Sequence, residues 1–195
     1  MTDQFMEEAT VKRKRGLETA IYLFMWLALI GFGILAIFMF NLFTFTLQSG
    51  ASAAEIIFYG AVCLLSAGCA VYAWFNKDKV RTEYEYTITN AQMDFAAVYN
   101  NAKRKNLGTM NLKNISACGE VTSASFQKYI NQQGIKRNNW FVNREADLFY
   151  IYYQKEDAKH IIIIEPSEEF IKLIRRAVNP GVYQGDNGKR IGSEA

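Results

Sequence analysis

Cysteine and histidine are the residues of this sequence best suited to nucleophilic or metal chemistry. The 195-residue chain has three cysteines and one histidine. A cysteine nucleophile needs a base within hydrogen-bond reach and a third group that orients the base, so the candidate pair is Cys118 with His160. Nothing in their spacing brings these side chains together, and the chain has neither a CxxC motif nor Cys/His zinc spacing. We therefore expect unpaired structural thiols and a histidine at the start of a strand.

Adjacent carboxylates are a second source of chemistry. Glu168 and Glu169 follow Pro166 and Ser167 and precede an apolar stripe, which is typical of the first turn of a helix. The chain carries no Walker motif, no GxGxxG, no HExxH and no GxSxG. The sequence therefore predicts no catalytic residue, no cofactor and no metal, and it favours a protein that is not an enzyme.

Lys103, Arg104 and Lys105 form a basic cluster in the polar segment Asn100–Asn106, which we interpret as a turn. One interpretation is a solvated turn. The other is contact with anionic lipid headgroups, where each base near the surface contributes about 1 kcal/mol. Residues 77–195 hold 18 bases against 14 acids, a net charge of +4, without an aromatic and basic reading motif. We therefore expect no nucleic-acid partner.

Two apolar segments precede this region. Residues 19–54 and 56–76 contain no charged residue, and only Glu55 separates them. A membrane helix needs about 20 apolar residues, so we predict two transmembrane helices, at about 20–46 and 56–75. The first segment is longer than the core of a signal peptide, and a second span follows it, which indicates a retained anchor.

The distribution of lysine and arginine predicts the orientation of these spans. Bases flank both spans, whereas the loop Leu47–Glu55 has none. Bases near the ends of spans stay inside, so both termini are predicted to be cytoplasmic in a multi-pass protein of the cell membrane. The residues that determine this topology are Lys12, Arg13, Lys14, Arg15, Lys77, Lys79 and Arg81.

A stripe of small residues runs along the second span. It consists of Gly60, Cys63, Ala67 and Ala70. Small residues let helices approach closely in lipid, so the stripe either packs the hairpin on itself or joins copies in a homo-oligomer. Neither span carries a charge between its ends, which disfavours an ion pathway.

Beyond Arg81 the hydrophobic period changes to two. "TEYEYTITN" and "MDFAAVYN" alternate as half-buried strands, and residues 107–112 and 115–121 predict two more, with Gly108 and Gly119 as bulges or close contacts. "DLFYIYYQ" and "HIIIIEP" predict a second hairpin. Residues 122–147 are polar, with one short helix through Phe126, Tyr129 and Ile130. Ser167 caps an amphipathic helix over residues 167–179.

These elements give a membrane α-helical hairpin followed by an α+β, mostly antiparallel β, domain of five or six strands. We assign residues 1–18 to a cytoplasmic tail, 19–76 to the spans, 77–179 to the domain and 180–195 to a flexible tail. The C-terminal helix must bury its apolar stripe against the sheet.

The chain resembles a family of small bacterial two-span membrane proteins. The resemblance rests on the two spans, "EYEYTITNAQMDFAAVYN", "AKRKN", "LGTMNLKNISACGEV" and "IIIIEPSEEFIKLIRR", and extends over residues 17–178. It implies a cytoplasmic part similar to bacterial pleckstrin-homology (PH)-like domains, in which a C-terminal helix closes a bent antiparallel sheet. It implies no activity.

Three functions follow as hypotheses. We favour a binding or scaffolding module that uses the PH-like domain to contact a protein or lipid headgroups, with the bilayer, anionic headgroups, and a second copy or another membrane protein as partners. The alternatives are a membrane-bound enzyme and an accessory subunit of a transporter complex.

Overall fold

The computed structural model describes residues 5–184 and divides them into two compact units. One unit is the helical segment of residues 14–81. The other combines residues 5–13 with residues 82–184. The domain therefore includes part of the segment that we assigned to a tail, and the predicted flexibility of residues 185–195 lies outside the described residues.

The helical unit is a hairpin of α1 (Gly16–Gln48) and α2 (Ala53–Asn76). Glu55, the one charge between the apolar segments, is used in a capping box. Its backbone N–H donates to Ser52 Oγ at 3.4 Å, and its carboxylate accepts from the Ser52 N–H at 3.0 Å. Both helices are long and apolar enough to cross a membrane.

The small stripe of α2 faces α1. A Cβ at Gly60 would lie 3.1 Å from the Phe43 ring, and Cys63 Sγ donates to the Ala36 carbonyl at 3.5 Å. Large apolar side chains such as Leu64 point away from the partner helix and are exposed. Gly60 and Cys63 of the stripe thus contact the other helix of the hairpin.

Aromatic residues close one end of the hairpin. Trp26 and Trp74 meet edge to face at 6.5 Å, and Lys77 Nζ lies 5.1 and 4.9 Å from their ring centroids. The same ammonium group forms a 2.9 Å ion pair with Asp78. Because its charge is paired and stacked, Lys77 can be nearly buried where the second helix ends.

The second unit begins with an antiparallel sheet in the order β1-β2-β3-β4. Its strands are β1 (Phe5–Thr10), β2 (Thr82–Thr89), β3 (Gln92–Tyr99) and β4 (Lys103–Asn111). The alternation predicted for β2 and β3 is confirmed, since Tyr86, Ile88 and Phe95 are buried. Strand β1 was not predicted. The register shift opposite Gly108 confirms a bulge there.

The other sheet has the order β5-β7-β8-β6. Its strands are β5 (Ile115–Glu120), β6 (Lys136–Trp140), β7 (Phe149–Lys155) and β8 (Ala158–Ile164). Strand β6 pairs with β8 in parallel, and Lys136 lies opposite His160. Eight strands therefore lie within residues 5–184, against the five or six antiparallel strands predicted, because β1 and the parallel strand β6 of polar residues 122–147 are additional.

Two layers of side chains explain the run of four isoleucines in β8. Ile162 and Ile164 enter the core shared with the first sheet and helix α4 (Glu168–Ala177), whereas Ile161 and Ile163 pack under helix α3 (Ala124–Ile130). A strand covered on both faces is apolar at every position. The short helix predicted through Phe126 is α3, and it provides the second cover.

Helix α4 closes the sheets, as the resemblance implied. The Ser167 hydroxyl accepts from the Phe170 N–H at 3.3 Å, and Phe170 and Ile174 are fully buried. The Glu8 carboxylate of β1 accepts from the Ser167 N–H at 2.8 Å and from its hydroxyl at 2.9 Å. Strand β1 thereby holds the start of the closing helix.

Candidate functional site

The basic cluster lies at the start of β4 and not in the turn before it. Asn100 and Asn101 form that turn with φ of 50° and 53°, a conformation that asparagine tolerates. The Ala102 N–H closes the turn by donating to the Tyr99 carbonyl at 3.0 Å. The sequence pattern predicted the bases in the turn and a strand that starts at Leu107. The strand begins at Lys103.

Because side chains alternate along a strand, the three bases do not share one face. Arg104 lies opposite Val98 on the outer face of the first sheet, the face away from the core, and its Nε is 3.0 Å from Glu85 Oε2. Lys103 and Lys105 point to the other face, opposite Tyr99 and Ala97. All three side chains are exposed.

The register places this cluster at the end of the first sheet where β1 ends and β2 begins. Thr82, the first residue of β2, lies opposite Tyr99, which in turn lies opposite Lys103. At about 4.8 Å per strand, Lys103 is about 10 Å from Thr82. Thr10, the last residue of β1, pairs with Tyr84 at the same end. Both connections to the helical segment therefore start at the end of the sheet that carries Lys103–Lys105.

The outer face of the first sheet has the opposite electrostatic character. A groove of about 520 Å³ lies on it, lined in part by Glu7, Asp94, Arg104 and Asn106. Asp94 accepts a hydrogen bond from Thr109, and Glu85 is engaged by Arg104. Since acids outnumber bases here, the face does not favour anions, whereas Lys103 and Lys105 lie on the opposite face of the sheet.

A hydrogen-bond network anchors the segment that precedes α1. The Arg13 N–H donates to Asn143 Oδ1 at 3.0 Å, and Asn143 Nδ2 donates to the Val11 carbonyl at 3.1 Å. Glu165 accepts from the Asn143 N–H at 3.0 Å and from its Nδ2 at 2.8 Å. We define Asn143 and Glu165 as the N-terminal anchor. The sequence offered no signal for it because the contacts connect distant segments.

The remaining predicted topology residues have varied surroundings. The Arg81 guanidinium lies 4.3 Å from the Tyr22 ring centroid, and its Nη2 is 3.4 Å from Thr19 Oγ1. Lys79 Nζ donates to Asn76 Oδ1 at 3.1 Å. The backbone of Arg13 is held by the N-terminal anchor, while Lys14 is exposed. Arg81, like Lys77, thus combines a positive charge with an aromatic contact.

Cys118 and His160 are not brought together. Cys118 pairs with Ile151 of β7, whereas His160 lies on β8, the strand beyond, so about two strand spacings separate their backbones. Burial raises the pKa of the Cys118 thiol to about 12. Burial, helped by Lys136, lowers the pKa of His160. The two residues therefore do not form a nucleophile and base pair.

No cluster of three or more His, Cys, Asp or Glu side chains suited to a metal ion occurs within residues 5–184. Glu168 and Glu169 lie in the first turn of α4, as the sequence predicted. At that position carboxylates stabilise the helix N-terminus.

Comparison with known proteins identifies one family. The model of the family described as "Bacterial PH-like domain (DUF6106)" matches residues 2–184, which is nearly the whole chain. No curated protein and no solved structure matches the chain. The match includes β1 and both long helices as well as the two sheets.

Proposed function

Because the chain belongs to the bacterial PH-like domain family (DUF6106), we propose that it is a two-span membrane protein whose PH-like unit binds anionic lipid headgroups at the cytoplasmic face. The observation that carries this proposal is the position of Lys103–Lys105. They lie at the end of the first sheet from which both connections to the apolar hairpin depart.

Membrane insertion is supported by the surface of the hairpin. Its large apolar side chains, such as Leu64, Ile57 and Leu27, are exposed on the outside of the helix pair. Exposing such an apolar surface to water costs free energy in proportion to its area. Lipid tails are as apolar as these side chains, so the same surface is stable in a bilayer. With 33 residues, α1 is about 50 Å long and exceeds the thickness of the hydrocarbon core.

The positions of the bases support a cytoplasmic orientation. Lys77 and Arg81 lie just beyond the second span and contact Trp26, Trp74 and Tyr22, which suit the interfacial aromatic belt. The loop between the helices has no lysine or arginine. A unit that leaves the spans on the basic side meets the leaflet that carries anionic lipids.

Headgroup binding is then a short-range contact. Lys103 is about 10 Å from Thr82, and Thr82 directly follows Arg81, the last residue of the helical unit. Lysines within a Debye length of about 8 Å of an anionic surface are attracted to it, with about 1 kcal/mol for each base. Two lysines on a tethered unit need only this weak attraction, because the tether raises their effective concentration.

The proposal is tested with the full chain in nanodiscs. A fluorophore on Ala102→Cys, in a chain with Cys63→Ala and Cys69→Ala, reports contact with lipids that carry a headgroup quencher. We expect stronger quenching with phosphatidylserine than with phosphatidylcholine alone. Lys103→Glu with Lys105→Glu should weaken the contact by about 30-fold, equivalent to about 2 kcal/mol for two bases.

The matched control is Lys136→Glu with Arg137→Glu, a second pair of exposed bases at the start of a strand. The control pair should leave the quenching unchanged, and 0.5 M salt should remove the effect of phosphatidylserine. Equal quenching in both lipids, or equal effects of the two charge reversals, would refute headgroup binding by this cluster.

A further inference from the structure

A short segment near the end of the described chain adds to the edge of β5. We call residues Val182, Tyr183 and Gln184 the C-terminal strap. The Cys118 N–H donates to the Val182 carbonyl at 3.0 Å, and the Gln184 N–H donates to the Cys118 carbonyl at 2.7 Å. These two bonds form a parallel bridge between Cys118 and Tyr183. The strap therefore occupies an edge that would otherwise present unpaired backbone groups.

Gly119 of β5 lets the strap backbone approach closely. A Cβ at position 119 would lie 2.7 Å from the Gln184 carbonyl oxygen, closer than side chains pack. Gly119 thus makes the close backbone contact that its place in a predicted strand indicated. Any larger residue at this position would push the strap from the edge.

Side chains of strand β7 and of helices α3 and α4 also contact the strap. The Tyr183 ring stacks on Phe149 with a centroid distance of 6.3 Å, and the Arg175 guanidinium of α4 lies 4.2 Å from the same ring. From α3, the Tyr129 hydroxyl is 3.2 Å from Gln184 Nε2, and Ser125 Oγ donates to the Gln184 carbonyl at 3.4 Å. The site therefore contacts the backbone of the strap and also an aromatic side chain followed by an amide side chain.

The strap is connected in a way that favours release. It follows a turn in which the Val182 N–H donates to the Asn179 carbonyl at 3.2 Å and Gly181 has a φ of 81°. The bridge, the side-chain contacts above and the packing of Val182 and Tyr183 against the core hold the strap. Because only three residues leave their places, its local opening costs less than unfolding the sheets. Residues 179–181 serve as the hinge for such an opening.

We propose that the β5 edge is a strand-addition site for the strap of a second copy of this chain. The strap of another copy has the sequence that the structure seats at this edge, and exchange of an identical element retains every contact described above. The three hinge residues reach about 10 Å when extended, so exchange brings the C-terminal ends of two α4 helices close together. The exchange makes the dimer isologous, since each copy gives and receives one strap.

The first test uses the chain truncated after Gly181, purified in detergent, and a fluorescent peptide of residues 179–186. We expect saturable binding by fluorescence anisotropy, at least about tenfold weaker binding by the intact chain, whose own strap competes, and at least about tenfold weaker binding of the peptide with Tyr183→Ala. The peptide with Tyr183→Phe should bind nearly as well, because its ring still stacks under Arg175. No binding by a truncated chain with unchanged circular dichroism would overturn the proposal.

The second test concerns the second copy itself. Intact chains labelled with donor or acceptor dyes should show concentration-dependent energy transfer in detergent, and truncation after Gly181 should abolish it. Gly119→Val should lower both the transfer and peptide binding by at least about tenfold. The peptide variants test the same site on an unaltered chain in case Gly119→Val does not fold. Binding of the peptide without any energy transfer between intact chains would show that a second copy is not the occupant.

Discussion

Phe170→Ala is expected to lower the free energy of unfolding of the PH-like unit by about 4 kcal/mol, the largest effect of any single substitution considered. The Phe170 ring is fully buried, and its centroid lies 6.1 Å from that of Tyr86 in the first sheet. Removing it leaves a cavity where helix α4 closes the two sheets. Neighbouring Ile174 is itself fully buried and has no free space from which to fill it.

Hydrogen exchange of the full chain in detergent measures this effect separately from the hairpin. Amides of β7 and β8 that exchange through global opening should exchange about 1000-fold faster in Phe170→Ala, which corresponds to about 4 kcal/mol. Lys172→Ala, on the exposed face of the same helix, is the control and should change the rates little. Equal rates in the two variants would contradict the role of α4 as the closing element.

Glu165→Leu is expected to cost about 3 kcal/mol, concentrated in the N-terminal segment. The Glu165 carboxylate accepts from both the backbone N–H and the side chain of Asn143, and Asn143 in turn holds the backbone of Val11 and Arg13. Without the carboxylate, three donors lose a charged acceptor, namely the Val142 N–H and the two donor groups of Asn143. Strand β1 should then separate from the unit before the sheets unfold.

The destabilisation by Glu165→Leu is predicted to be local. Exchange of amides in residues 5–13 should rise about 100-fold, whereas β7 and β8 should be less affected. Glu145→Leu is the matched control, because Glu145 is an exposed glutamate in the connection between β6 and β7 that also contains Asn143. If both leucine variants altered residues 5–13 equally, the N-terminal anchor would not be the cause.

The sequence predicted those elements in which buried positions recur at a regular spacing within one segment. Alternation in β2 and β3, the unbroken isoleucine run in β8 and the apolar stripe of α4 each reflect one or two covered faces. These patterns were sufficient for the class of fold. They did not predict that Ile161 and Ile163 pack under α3, because that cover comes from a polar segment.

Strands β1 and β6 were missed for a different reason. Glu7, Glu8 and Ala9 have low strand propensity, and β1 forms because β2 and Ser167 supply its partners. Strand β6 contains two adjacent asparagines and depends on pairing with β8. Long-range contacts override local propensity in both cases, and no short window of sequence contains that information.

The candidate site was predicted in composition and missed in geometry. The sequence identified Lys103, Arg104 and Lys105 as a basic cluster, but a turn would have presented them together. In strand β4 they alternate, and Glu85 engages Arg104 from β2. The ion pair could not be predicted because it requires the register between strands.

Cysteine accessibility in intact cells tests the membrane orientation most directly. With Cys63→Ala and Cys69→Ala as background, a cysteine at Ser49 in the loop between α1 and α2 should react with a membrane-impermeant maleimide from outside. A cysteine at Ala102, beside the basic cluster, should react only after permeabilisation, while buried Cys118 stays unlabelled. Labelling of Ala102→Cys in intact cells would place the PH-like unit outside and contradict the proposed cytoplasmic orientation.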